Sequence, residues 1–275
     1  MANNGNGFRK LSDALKKAAE EKGEAFQKSQ PPIITPTPPL SPPPSATEKP
    51  IVSSGISKKI VTYHNPASPI TEQFRVLRTH ACSSEKSRNI KTMAITSSAN
   101  GEGKSVAAVN LSVVMAQDFG KPVLLIDCNM RKPAVSSLLG LAGGRGLADV
   151  LSGAAQLKDA LLKTDVANLT VLPAGQVSAN PNELLASDKM KEILAEAKTQ
   201  FEIIVLDTPA VIPYADPRIL GRLVDAVILV VRAGRTRREV IARAESVLKS
   251  VGVNILGYVL TGIEYHIPEY IHRHL

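Results

Sequence analysis

The sequence predicts an α/β fold, a mostly parallel, doubly wound sheet flanked by helices, on three observations. Short apolar runs rich in β-branched residues alternate with helix-length segments from residue 92 onward, the pattern of strands buried on both faces under crossover helices. Two of these runs, Leu124-Leu125-Ile126-Asp127 and Ile203-Ile204-Val205-Leu206-Asp207, end in aspartate, and parallel sheets gather the carboxyl ends of their strands on the edge where ligands bind. The first run, Thr92 to Thr96, is joined to the first long helical segment by Ser97-Ser98-Ala99-Asn100-Gly101-Glu102-Gly103-Lys104-Ser105, a glycine-rich strand-to-helix turn.

Composition bounds the rest. A chain of 275 residues, 44% apolar and 21% charged, accommodates one large α/β domain with appendages. Cys82 and Cys128 are its two cysteines and read as free thiols of a reducing compartment. No apolar run approaches the roughly 18 residues of a spanning helix, so the chain is expected to be soluble and cytoplasmic, reaching the inner face of a membrane through a partner. The net charge of +8 invites a nucleic-acid partner, but aromatics are 4% of the chain and no recognition motif accompanies the charge. No nucleic acid and no transmembrane segment of its own are therefore expected.

From the N-terminus, Phe8, Leu11, Leu15, Ala18 and Ala19 recur at helical spacing, so residues 1–28 read as a short amphipathic helix suited to a partner. Residues 29–60 follow as a disordered linker: nine of the twenty residues from Pro31 to Pro50 are proline, which favours an extended spacer. Over 68–81, Ser68 supplies an N-cap hydroxyl, Pro69 fits the first turn, and Ile70, Phe74, Leu77 and Ala81 form an apolar stripe. Glu72, Arg75 and Arg78 trace a separate, slanted charged stripe, open either to an intrahelical pair or to contact from a neighbouring subunit.

In the glycine-rich turn, the backbone N–H groups and the start of the helix over Val106–Ala116 form an anion cradle. Asn100 to Val106 are the candidate phosphate-binding residues, with Lys104 reaching the β- and γ-phosphates of a nucleotide and Ser105 placing its hydroxyl on magnesium. Pro122–Asp127 is the next strand, and Asn129, Arg131 and Lys132 follow its carboxylate closely. Leu169–Pro173 is a strand and Asn182–Ala197 a helix; Phe201–Asp207 then repeats the design of an apolar strand ending in an acid, suited to a metal-bound water. Asp225–Arg232 is a further buried strand, Thr236-Arg237-Arg238-Glu239 a capping box, and Asn254–Leu260 the last strand. The large α/β domain is bounded at 61–264, and residues 265–275 form a flexible tail carrying Tyr265 and Tyr270.

Taken together these segments resemble the bacterial tyrosine kinases of capsule and exopolysaccharide loci, the CpsD/CapB-type BY-kinases, within the MinD/ParA group of P-loop ATPases. The resemblance spans about residues 60–264. Gly101-Glu102-Gly103-Lys104-Ser105 matches Walker A, Leu124 to Asp127 with Arg131-Lys132-Pro133 matches Walker A′, and Ile203 to Pro209 matches Walker B. Glu72-x-x-Arg75-x-x-Arg78 looks like the ring-forming motif of the family, and Asn180-Pro181-Asn182-Glu183-Leu184-Leu185 resembles another recurrent segment. The resemblance implies a P-loop NTPase sheet, ATP and Mg2+ as cofactors, and Lys104, Asp127, Asp207 and Arg131 as catalytic residues. It also implies metal placement by Ser105, Asp127 and Asp207, with Asp127 as candidate base. Tyr265 and Tyr270 become autophosphorylation sites on a neighbouring subunit of a ring. A membrane chain-length regulator, or polysaccharide co-polymerase, is the implied activator, and a tyrosine phosphatase a further partner. Asn129 stands where the family has a second aspartate, and Thr261 where related ATPases place an asparagine near the adenine. A MinD/ParA-like ATPase switch or a nucleotide-binding scaffold are the alternatives; the switch calls for a second lysine near position 99, occupied here by Ala99.

Overall fold

The computed structural model describes residues 55–83, 90–176 and 180–263. The predicted helix of residues 1–28, most of the proline-rich linker, and the tail with Tyr265 and Tyr270 lie outside the described residues.

Among the described residues seven strands form one sheet in the order β3-β4-β2-β5-β1-β6-β7. They are β1 (Thr92–Ser97), β2 (Val123–Asp127), β3 (Leu162–Lys163), β4 (Leu169–Leu172), β5 (Ile203–Ala210), β6 (Ala226–Arg232) and β7 (Ile255–Thr261). Every pairing is parallel except that of the two-residue β3 with β4. The predicted mostly parallel sheet is thus observed. β1, β2 and β5 are buried along their whole length, as their unbroken apolar runs require.

Alternate residues of each central strand feed two separate cores. Leu124, Ile126, Ile204, Leu206, Val227 and Leu229 pack on one face, while Val123, Leu125, Ile203, Val205, Ile228 and Val230 pack on the other. This period-two division makes the sheet doubly wound. The second face carries α1 (Val61–His64), α2 (Pro69–Ser83), α3 (Lys104–Phe119) and α4 (Val135–Leu138). The first carries α5 (Leu147–Leu151), α6 (Leu157–Ala160), α7 (Pro181–Ala186), α8 (Asp188–Gln200), α9 (Asp216–Gly221) and α10 (Arg238–Lys249). The short elements α4 to α6, α9 and β3 are too brief for periodicity to reveal.

Ser68 caps α2 as expected, accepting from the Thr71 amide at 3.1 Å. Ile70 departs from the predicted buried stripe and is 51% exposed, whereas Ala81 at the far end is fully buried. The helix expected over 182–197 is two helices, because Ser187 takes an extended conformation (φ −68°, ψ 154°) and its hydroxyl bonds back to the Leu184 carbonyl at 2.7 Å. The capping box at 236–239 does not form. α10 begins at Arg238 with no side-chain cap, since the Thr236 hydroxyl is taken by Glu102.

Candidate active site

The turn after β1 is held open by two glycines in the left-handed region, Gly101 at φ 83° and Gly103 at φ 90°. Side chains there are strained, which explains the residue choice. α3 starts directly at Lys104 with no side-chain cap and no acid in its first turn. Its first backbone donors and its positive dipole end therefore face the turn, the arrangement that binds phosphate.

The side chain of Glu102 is turned inward, away from the phosphate cradle. It is 3% exposed; its Oε2 accepts from the Ala99 amide at 2.8 Å and its Oε1 from the Thr236 hydroxyl. The Thr261 hydroxyl donates to the Glu102 carbonyl at 2.6 Å, and Arg232 Nη1 to the Gly101 carbonyl at 3.5 Å. Glu102 can serve a ligand through its backbone alone. The turn is thereby braced by the ends of β6 and β7, a role that Thr236 and Thr261 do not advertise in sequence.

Parallel pairing of β2 with β5 sets Asp127 opposite Asp207, and β5 also lies next to β1. Both acids are fully buried. Asp127 accepts from the amides of Asn129 (3.0 Å), Ala134 (3.0 Å) and Val135 (3.1 Å). Burial raises its pKa, while these amides and Lys104 pull the other way. Asp207 is different: neither carboxylate oxygen has a hydrogen-bond partner. Burial, with the Asp127 charge next to it, pushes its pKa up to about 7, against Lys104. The Ser105 hydroxyl is near enough to favour the ionised form without bonding either oxygen.

A buried, unpartnered carboxylate is costly unless something cationic is meant to meet it. Asp207, with Ser105 and the Asp127 carboxylate beside it, therefore fits magnesium. Among the described residues no cluster of three or more His, Cys, Asp or Glu forms a metal cage. Magnesium does not need one, because it is held by one or two carboxylates together with phosphates and waters.

Asn129 is buried, and its Nδ2 donates to the Lys132 carbonyl at 2.9 Å while the Lys132 amide returns a bond to the Asn129 carbonyl at 3.0 Å. Its amide closes a turn, which an aspartate could not do. Arg131 leaves that turn and places Nε 3.0 Å from Oδ2 of Asp216, with its guanidinium 5.0 Å from the centroid of the Tyr214 ring.

Glu72, Arg75 and Arg78 are brought together on α2, but with a partner in the same chain. Arg75 bonds Glu72 at 3.1 Å and Asp118 at 3.2 Å, and Arg78 also pairs with Asp118, near the end of α3. Nothing in the spacing around Asp118 announces this contact. Outward from Gly101–Gly103, a groove of about 760 Å³ runs between α2 and β7, lined by Phe74, Leu77, Tyr258, Thr261 and Ile263 among others.

The sequence profile of a family described as an AAA domain matches residues 90–237. The tyrosine-protein kinase YwqD of Bacillus subtilis is 37% identical over 209 residues, 76% of this chain and 88% of that protein. Among solved structures, the kinase domain of the Escherichia coli tyrosine kinase ETK superposes with a TM-score of 0.71 at 28% identity, covering 76% of this chain and 82% of that one. The chimerical protein CapA2B2 gives a TM-score of 0.69 at 29% identity, covering 77% and 93%. The MinD protein of Pyrococcus horikoshii, complexed with Mg-ADP, gives 0.55 at 28% identity, covering 67% and 76%. No helix among the described residues is long and apolar enough to cross a membrane.

Proposed function

The chain belongs to the bacterial tyrosine-protein kinases built on the MinD-like P-loop fold, and from that premise we propose that it transfers the γ-phosphoryl group of ATP to Tyr265 and Tyr270 in the tail of a neighbouring copy. The backbone of Asn100 to Val106 and the Lys104 ammonium hold the phosphates. The groove beside Thr261 takes the purine and ribose. Ser105, Asp127 and Asp207 would hold Mg2+, which would supply positive charge to offset that of the phosphates.

The tyrosine oxygen attacks the γ-phosphorus, its proton passes to Asp127, the bond to the bridging β-oxygen breaks and ADP departs. Catalysis here is mostly positioning and charge neutralisation. The observation that carries this reading is the buried, partnerless Asp207 carboxylate set between the Asp127 strand and the phosphate-binding turn.

Glu72, Arg75 and Arg78 join copies into a ring, and phosphotyrosines, by adding negative charge to the tail, expel it from an anionic site and dissolve the ring. A membrane chain-length regulator activates the kinase at the inner face of the membrane, a tyrosine phosphatase resets it, and the cycle regulates exopolysaccharide or capsule production and export. A weakly active scaffold is favoured by one observation only, the absence of a second acid at Asn129, whose side chain is committed to a turn. Incubation with γ-labelled ATP and Mg2+ separates the readings. Label on tyrosine supports the kinase, released phosphate alone the ATPase switch, and bound but intact nucleotide the scaffold.

A further inference from the structure

Arg131 is tethered in an unusual way. Asp216, whose side chain is 1% exposed, takes only the Nε of the guanidinium, at 3.0 Å. The Tyr214 ring covers one face of the group at 5.0 Å. Among the described residues neither terminal nitrogen of Arg131 has a hydrogen-bond partner, although the side chain is only 29% exposed. A carboxylate placed merely to neutralise an arginine takes the two-pronged geometry, which is stronger. Here the anchor uses the one nitrogen that leaves the prongs unoccupied.

The anchor itself is expensive. Asp216 lies at the start of α9, and its Oδ1 is buried without a partner, so a carboxylate oxygen is left unsatisfied to keep this single contact with Arg131. The loop joining β5 to α9 is fastened to the phosphate-binding turn by the amides of Val211 and Ile212, which donate to the Ser97 and Ser98 carbonyls at 2.8 and 3.2 Å. Tyr214 and Asp216 are thus fixed relative to that turn.

We infer that Asp216, with Tyr214, is a positioning residue that presents the two terminal nitrogens of Arg131 to the terminal phosphate of the bound nucleotide, so that the site distinguishes a triphosphate from a diphosphate. The inference rests on the nucleotide site described above, and it adds a residue that acts only through Arg131. The contact is made to oxygens that ADP lacks. Its loss therefore weakens a non-hydrolysable ATP analogue and leaves ADP unaffected.

The test measures the affinities of ADP and of the ATP analogue, each with Mg2+, for the full chain and for Arg131→Lys, Asp216→Asn and the double variant. Each single variant is expected to lower the preference for the triphosphate about tenfold, and the double variant to lower it no further, because both changes remove one contact. Tyr214→Ala, which leaves the buried acid in place, is expected to lower the same preference about threefold and serves if Asp216→Asn does not fold. An unchanged preference in the single variants, or losses that multiply in the double variant, overturns the inference. Equal weakening of ADP and the analogue overturns it as well, since that marks a general structural role. Failure of the unmodified chain to bind either nucleotide overturns the site reading first and this inference with it.

Discussion

At the residue scale, the environment of Asp207 is unlike that of an ordinary surface acid: it is fully buried and neither carboxylate oxygen has a hydrogen-bond partner. Its reference pKa of 3.8 rises to about 7 in the folded chain, so between those values the folded state binds a proton that the unfolded state has released. Stability contributed in this way is present below the unfolded pKa and is lost as pH rises through the folded one. Urea unfolding of the metal-free chain is expected to show stability falling from about pH 4 to about pH 7, a slope that Asp207→Asn abolishes. An identical slope in the variant disproves the assignment. Because Mg2+ and the proton compete for the same carboxylate, affinity for Mg-nucleotide should fall as the pH is lowered through the same window.

Lys104→Met is expected to leave the chain folded, since a partly buried ammonium at the turn adds little to the apolar core, while nucleotide affinity falls on the order of a hundredfold. Retained affinity in isothermal titration argues against the phosphate site. Asn129 changes standing once its contacts are seen. Sequence alone suggests that an acid there would strengthen magnesium binding, but Asn129→Asp replaces a donor facing the Lys132 carbonyl with a second acceptor. The metal-free variant is expected to lose about 1–3 kcal/mol in chemical denaturation, with part of the loss recovered on adding Mg2+ and nucleotide. A variant as stable as the parent shows that the turn does not depend on that bond.

At the element scale, the phosphate-binding turn is held by more than its own glycines. The ends of β6 and β7 and the loop before α10 reach it through Arg232, Thr236 and Thr261, so its shape depends on segments more than a hundred residues away. Thr236→Val leaves Glu102 Oε1 without its hydroxyl donor. Nucleotide affinity is expected to fall about fivefold, the size of one net hydrogen bond, and Thr236→Ser is expected to restore it. If valine and serine behave alike, the brace has no bearing on binding. The segment Thr236–Glu239 also illustrates competition between local and distant partners. It has the composition of a capping box, but a buried carboxylate is a stronger acceptor for the hydroxyl than anything the exposed start of α10 offers.

At the scale of the whole molecule, the charged stripe of α2 bears on assembly. Arg75 and Arg78 meet Asp118 within the chain, and partly exposed ion pairs of this kind contribute little to stability. Under the ring reading they exchange for partners on another copy. Arg75→Ala with Arg78→Ala then lowers the mass seen by light scattering, whereas Asp118→Asn, which removes the acid the two arginines share within the chain, keeps or raises it. A drop in mass with Asp118→Asn places the essential contact inside the chain.

The fold was legible because its signals are local and strong: unbroken apolar strands, a glycine-rich turn followed by a lysine, and aspartates at strand ends each report their surroundings through nearest neighbours. The same signals set Lys104 and Ser105 at the glycine-rich turn and Asp127 and Asp207 on strands of one sheet. What they could not convey is strand order. Only the tertiary structure inserts β5 between β1 and β2, bringing Asp207 beside both Asp127 and the phosphate-binding turn and leaving its carboxylate buried without a partner. Arg131 was legible, but its tether to Asp216 was not, nor were the brace from Thr236 to Glu102 and the pairing of α2 with Asp118. Each joins groups tens to more than a hundred residues apart. Such contacts are chosen by which elements the packed sheet brings within a few ångströms, and a hydroxyl, an acid or a guanidinium carries no mark in the sequence of the partner it will meet.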